Sequence, residues 1–136
     1  MNISKFTQKS IQAVQDLEKI AYEYGNQEVE QEHLLYALLS QEDSLILKLI
    51  EKMEINKEYF VNTVKKALDA RVKVSGGDLR FGQYLNKSLV SAEDEARAMG
   101  DEYVSVEHLF LALLETADKE LKGLFKNFEI TREKFL

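Results

Sequence analysis

Residues Glu32–Leu39 read EHLLYALL, and residues Glu107–Leu114 read EHLFLALL. The two octets lie 75 residues apart and differ at only two positions. Working outward at that offset, Phe6 falls on Phe81, Glu18 on Glu93, Ala21 on Ala96 and Gly25 on Gly100. Val29 falls on Val104, Asp43 on Asp118, Leu49 on Leu124, Glu54-Ile55 on Glu129-Ile130, and Phe60 on Phe135. No gap is needed, and about a third of the overlapped positions are identical, so a tandem repeat governs the architecture.

Each copy reads as four helices. The first carries an apolar stripe at helical spacing, Val14, Leu17, Ala21, Tyr24 in one copy and Leu89, Ala92, Ala96, Met99 in the other. Gly25 and Gly100 stand where a helix ends in a left-handed residue. The second helix carries the octet, with Ser105 as a good N-cap and Glu30 as a weaker one. Its leucines, Leu34, Leu38, Leu39 and Leu109, Leu113, Leu114, read as core. The third helix is expected over about Asp43–Met53 and Asp118–Phe128. The fourth begins at the N-caps Asn56 and Thr131. In the first copy it runs through Phe60, Val64 and Leu68 to about Ala70, but in the second the sequence stops at Leu136, after about one turn. That mismatch suggests a piece of a longer protein.

The expected fold is therefore all-α: two pseudo-twofold-related four-helix repeats forming one compact domain. Repeat 1 spans about residues 1–72, a flexible linker about 73–80, and repeat 2 about 81–136, its last helix truncated. Composition agrees, with no proline, six glycines and 31% charged residues. A chain of 136 residues can bury roughly two-thirds of its unfolded surface and needs no metal or disulfide to fold.

Function classes narrow quickly. There is no cysteine, hence no thiol nucleophile or cysteine-bound zinc, and a reducing, cytoplasmic location fits. The net charge of −6 argues against nucleic acid and anionic membrane as partners. No apolar run approaches the roughly 20 residues of a membrane span, and MNISKFTQKS lacks the apolar region of a signal peptide. SGGD, at 75–78, does not match a phosphate-binding loop. His33 and His108 are the only histidines and lack metal-ligand spacing, so a buried, hydrogen-bonded role is expected and no metal. No nucleophile stands beside a base in a recognisable motif, so no catalytic residue is assigned and the chain is not expected to be an enzyme. Glu32 and Glu107 each occupy a first helical turn, where the helix dipole favours a carboxylate. They could also form two similar sites for cationic groups. Ile11 and Val90 lie off the main stripes and are expected to be partly exposed.

The paired octets, the opening KFTQKSIQAV (Lys5–Val14) and GDEYVSVEHLFLALLE (Gly100–Glu115) resemble the amino-terminal domain of the Clp ATPase unfoldases over nearly the whole chain. KVSGG and DEYVSVEH make the ClpB-type disaggregases the most similar subfamily, with the protease-feeding ClpC type as the alternative. The resemblance implies a substrate-engaging domain, monomeric in isolation, tethered above a homohexameric AAA+ ring. The domain would bind unfolded or aggregated protein, and ATP and magnesium would be confined to nucleotide-binding domains absent here. It implies substrate-binding roles for Thr7, Asp101 and Glu107. On the ClpC-type alternative, it implies phosphoarginine or adaptor binding, with phosphoarginine at Glu32 and Glu107. Ser91, Glu95 and His108 depart from the apolar strip of ClpB-type domains.

Overall fold

In a computed structural model, which describes residues 3–74 and 76–136, both halves form the expected four helices. A short 3-10 turn, Ile3–Lys5, leads into α1 (Gln8–Glu23), α2 (Gln31–Leu39), α3 (Leu45–Lys52) and α4 (Lys57–Asp69). The second half repeats the order as α5 (Gln83–Ala98), α6 (Val106–Thr116), α7 (Lys119–Asn127) and α8 (Arg132–Phe135). The expected linker includes Ser75, which lies outside the described residues, as do Met1 and Asn2 of repeat 1.

The two octet helices form the centre. Leu34, Leu38, Leu109 and Leu113 are fully buried, Leu39 nearly so, and Leu114 is half-buried at the edge. α1 packs along α2 and α5 along α6, while α2 and α6 also touch each other across the pseudo-twofold. Burying apolar surface at roughly 25 cal/mol per Å² makes this shared core the main source of stability. Phe60, Val64 and Leu68 bring α4 onto α2, and Phe135 brings α8 against Phe110 at 4.6 Å between ring centres. Ile11 is half-buried against the core, while Val90 is exposed.

Three details differ from the expectation. Met99 is exposed, because it is the C-cap of α5 and the chain turns away after it. α3 starts one residue later than its counterpart: Ser44 caps it, whereas Asp118 caps α7. Asp43 consequently stands outside the helix in a left-handed conformation, with φ 57°.

The third difference is that the connectors form strands. β1 (Glu28–Val29) pairs in parallel with β2 (Arg80–Phe81), bringing Val29 opposite Phe81. A parallel bridge likewise sets Val104 opposite Phe6. These two pairings are equivalent under the 75-residue repeat. Each half's connector clips onto the residues preceding the other half's first helix, so the halves interlock. Gly25 and Gly100, with φ 70° and 72°, make the tight exit from the first helices that aims each connector. The N–H groups of Asn26 and Asp101 then reach back to Ala21 and Ala96 carbonyls at 2.8 and 2.9 Å.

A buried polar bridge also joins the halves. Gln31 Nε2 donates to Ser88 Oγ and to the Thr116 carbonyl, at 2.9 and 3.1 Å. Gln31 Oε1 accepts the Asp118 N–H at 3.0 Å.

Candidate functional site

The Glu-His pair that opens each octet has a local physical cause. His33 and His108 are the third residues of their helices, where a capping box normally places Glu or Gln. Here the imidazole does that work. His33 Nδ1 accepts the Glu30 N–H at 2.8 Å, and His108 Nδ1 accepts the Ser105 N–H at 2.9 Å. With Nδ1 accepting, the proton resides on Nε2, which donates to Asn26 Oδ1 at 2.9 Å in the first half. In the second half it donates to Asp101 Oδ2 at 2.8 Å. Each ring therefore ties the helix start to the residue after the helix-ending glycine. Both histidines are buried and hydrogen-bonded, as the sequence suggested. Burial, with Arg71 nearby, pulls the His33 pKa down to about 4. Asn26 extends the tie by donating to the Val72 carbonyl at 3.0 Å.

The two glutamates that precede these histidines have unequal surroundings. Glu32 is only 2% exposed, and both of its carboxylate oxygens sit on Arg71 Nη2, at 2.7 and 2.6 Å. The same guanidinium lies 3.5 Å from Glu30 and 3.6 Å from Asp118. Burial works against the charge of Arg71, but these carboxylates outweigh it and raise its pKa. Glu30 and Glu28 form a carboxyl pair over Gly82, whose missing side chain leaves room for both. Burial first, and then the hydrogen bond to Glu28, push the Glu30 pKa up to about 7. The Glu28 pKa moves down, chiefly through that same hydrogen bond. A small cavity of about 190 Å³ opens beside the cluster, lined by Asn26, Glu28, Glu30, Arg71 and Val72.

Glu107, by contrast, is half-buried, and among the described residues its carboxylate has no hydrogen bond or ion pair.

Thr7 is the N-cap of α1, its hydroxyl accepting the Ser10 N–H at 3.2 Å. Its own N–H donates to the Val104 carbonyl at 3.0 Å, and Ser10 Oγ donates to the same oxygen at 2.7 Å. Asp101 and Glu107 therefore lie along one segment, residues 101–107, which joins the connector to the first turn of α6, and Thr7 is tied to it at Val104. Glu32 lies apart from it, in the Arg71 cluster.

Sequence reasoning did not single out Arg71 or Asn26. Asn26 was detectable: it aligns with Asp101, and both stand seven residues before the histidine. Arg71 was not, because it meets Glu32 from 39 residues away in sequence. Among the described residues no group of three or more histidine, aspartate or glutamate side chains is arranged to hold a metal. No helix among them is long and apolar enough to cross a membrane.

This geometry of paired capped helices on interlocked connectors matches a known class. Residues 5–128 match the family of the Clp repeat (R) N-terminal domain. The chain is 42% identical, over its full length, to the chaperone protein ClpB of Nitratidesulfovibrio vulgaris, of which it spans 16%. Its fold is that of the Hsp104 N-terminal domain from Candida albicans, with a TM-score of 0.83 at 22% identity, covering 96% of this chain and 86% of that one. A ClpV N-domain solved in complex with a VipB peptide shares the fold with a TM-score of 0.72 at 23% identity, covering 96% of this chain and 82% of that one. The chain belongs to the Clp N-terminal domain family.

Proposed function

We propose that this domain captures exposed segments of unfolded or aggregated protein for a ClpB-type AAA+ disaggregase, which threads them with ATP. The observation that carries this reading is the similarity to ClpB chaperones along the entire chain. The ATPase activity, the bound ATP and magnesium, and the homohexameric ring belong to the rest of such a protein. This chain spans only 16% of that relative's length, so they form part of the proposal. A related ClpV N-domain takes a peptide, which supports a protein ligand as the class of partner.

The proposed capture face is the 101–107 connector, with Glu107 as its unpaired carboxylate and Thr7 and Asp101 alongside. An unpaired, half-buried carboxylate attracts cationic or hydrogen-bond-donating groups of an extended chain. A small face of this kind supports roughly micromolar or weaker affinity, suited to a domain that must pass its substrate on. The test is an NMR titration of the labelled domain with an unfolded model protein such as reduced, alkylated lactalbumin. Saturable shifts centred on residues 101–108 are expected, and none at millimolar ligand would overturn the reading.

A second reading has its own observation. The Arg71 guanidinium on Glu32 displays carboxylate–guanidinium chemistry at one of two repeat-related glutamates. A ClpC-type domain that binds phosphoarginine would use the same chemistry at Glu107, where no described side chain occupies the carboxylate. Free phosphoarginine in the same titration separates the two readings.

A further inference from the structure

We infer that, of the three residues on the proposed capture face, only Glu107 contacts the ligand, while Thr7 and Asp101 are positioning residues that set the shape of the connector carrying it. The inference rests on the capture role of Glu107 proposed above.

The connector is held at three points. His108 Nδ1 takes the Ser105 N–H, and His108 Nε2 donates to Asp101, so a single ring clamps residues 101, 105 and 108 together. Glu107 is the residue next to that ring. From the other side, the Thr7 N–H and the Ser10 hydroxyl both donate to the Val104 carbonyl, and the Val104 N–H donates to the Lys5 carbonyl at 2.7 Å. Thr7 in turn fixes Ser10 by capping α1. The Thr7 hydroxyl and Asp101 Oδ2 thus already have partners inside the domain. The carboxylate of Glu107 has none among the described residues.

The repeat supplies an internal comparison. Asn26 stands at the position equivalent to Asp101 and clamps His33 in the same way, with a neutral amide oxygen. Negative charge at residue 101 is therefore not needed for the clamp. The Asp101 side chain is nevertheless 52% exposed, so a direct charge contact is a real competitor. The two roles predict opposite behaviour for one conservative substitution.

The experiment compares Asp101→Asn, Asp101→Ala, Thr7→Ser, Thr7→Ala and Glu107→Gln in the intact domain. Two readouts are followed: affinity for the unfolded model protein, and the clamp itself through the His108 ring nitrogen shifts and the Ser105 amide exchange rate. Asp101→Asn and Thr7→Ser are expected to keep affinity within about twofold, with the clamp intact. Asp101→Ala is expected to lose about tenfold in affinity together with Ser105 protection, and Thr7→Ala to lose several-fold. Glu107→Gln is expected to lose about tenfold with the clamp unchanged. If Asp101→Asn weakens binding as much as Glu107→Gln while Ser105 stays protected, Asp101 is a contact and the inference is overturned. Full affinity in Asp101→Ala despite a broken clamp overturns it equally. Wild-type affinity in Glu107→Gln instead removes the capture role on which the inference rests.

Discussion

Arg71 and Glu32 meet end to end: one guanidinium nitrogen contacts both carboxylate oxygens, at 2.7 and 2.6 Å, beneath a half-buried arginine stem. Arg71 is the first residue beyond the C-cap of α4, while Glu32 lies in the first turn of α2. Asp118, the N-cap of α7 in the other half, lies 3.6 Å from the same guanidinium. One side chain just past the end of α4 therefore neutralises helix starts from both halves.

Removing that cation strands a buried carboxylate. Breaking one partner from a fully buried pair costs about 3–5 kcal/mol, and the partial exposure of Arg71 lowers the expectation for Arg71→Ala to about 2–4 kcal/mol. At this chain length that is a fall in Tm on the order of 10 °C. Adding Glu32→Gln to Arg71→Ala should recover part of the loss, since the stranded charge is then gone. A double variant no more stable than Arg71→Ala alone would show that the stranded charge is not what the single substitution costs.

Two titrating groups near this cluster oppose each other. The folded His33 pKa is about 4 against an ordinary value of 6.5, so the unfolded chain binds its proton first. Its stabilisation is complete above pH 6.5 and is lost as pH falls toward 4. The folded Glu30 pKa is about 7 against an ordinary 4.5, so here the folded chain binds its proton first. Its effect is destabilising above pH 7 and is relieved as pH falls toward 4.5. Between pH 4.5 and 6.5 the two slopes cancel in the wild type. Glu30→Gln removes one of them, leaving the His33 slope, so its stability should then fall by about 1 kcal/mol for each unit that pH is lowered from 6.5 to 4.5, near the limit for one proton. Urea midpoints at several pH values measure the slope. A variant that tracks the wild type would show that Glu30 does not supply the opposing slope.

The eight helices of the described residues were legible because leucine periodicity, glycine stops and the Asn56, Ser105 and Thr131 caps all act locally. The strand pairings were not. Phe6, Phe81, Val29 and Val104 stood out as repeated letters, but nothing local says that each connector pairs with the opposite half. The same limit applies to the site. Asp101 and Glu107 could be pointed to by resemblance, yet the difference between Glu32 and Glu107 depends on Arg71, which is 39 residues from Glu32 in sequence. The histidines were placed correctly as buried, hydrogen-bonded residues. Their capping role needed the distance from Nδ1 to the N-cap amide.

The cross-repeat bridge at Gln31 gives a further expectation. Gln31→Leu keeps the volume but leaves the Asp118 N–H without its acceptor and Ser88 with one donor fewer. An orphaned buried polar group costs about 1–3 kcal/mol. Because the bridge joins α2 to α5, the end of α6 and the start of α7, hydrogen exchange at Asp118 and Leu121 should accelerate more than exchange in α4. Uniform acceleration across the domain would mean that Gln31 supports only global stability.

The inequality of Glu32 and Glu107 also sets a stoichiometry. If phosphoarginine binds this domain through a glutamate, the wild type should take one equivalent, at Glu107, because Arg71 holds the other carboxylate. Arg71→Ala, measured below its lowered Tm, should gain a second site whose shifts centre on residues 30–33. Free arginine is the matching probe for the guanidinium alone, since it lacks the phosphate. One equivalent in the wild type and two in Arg71→Ala is the outcome that self-occupation requires. Two equivalents in the wild type would mean that Arg71 leaves Glu32 readily, and its ion pair would then be a resting contact that ligand displaces. One equivalent in both would show that Glu32, though freed of its partner, lies too deep at 2% exposure for an outside guanidinium to reach.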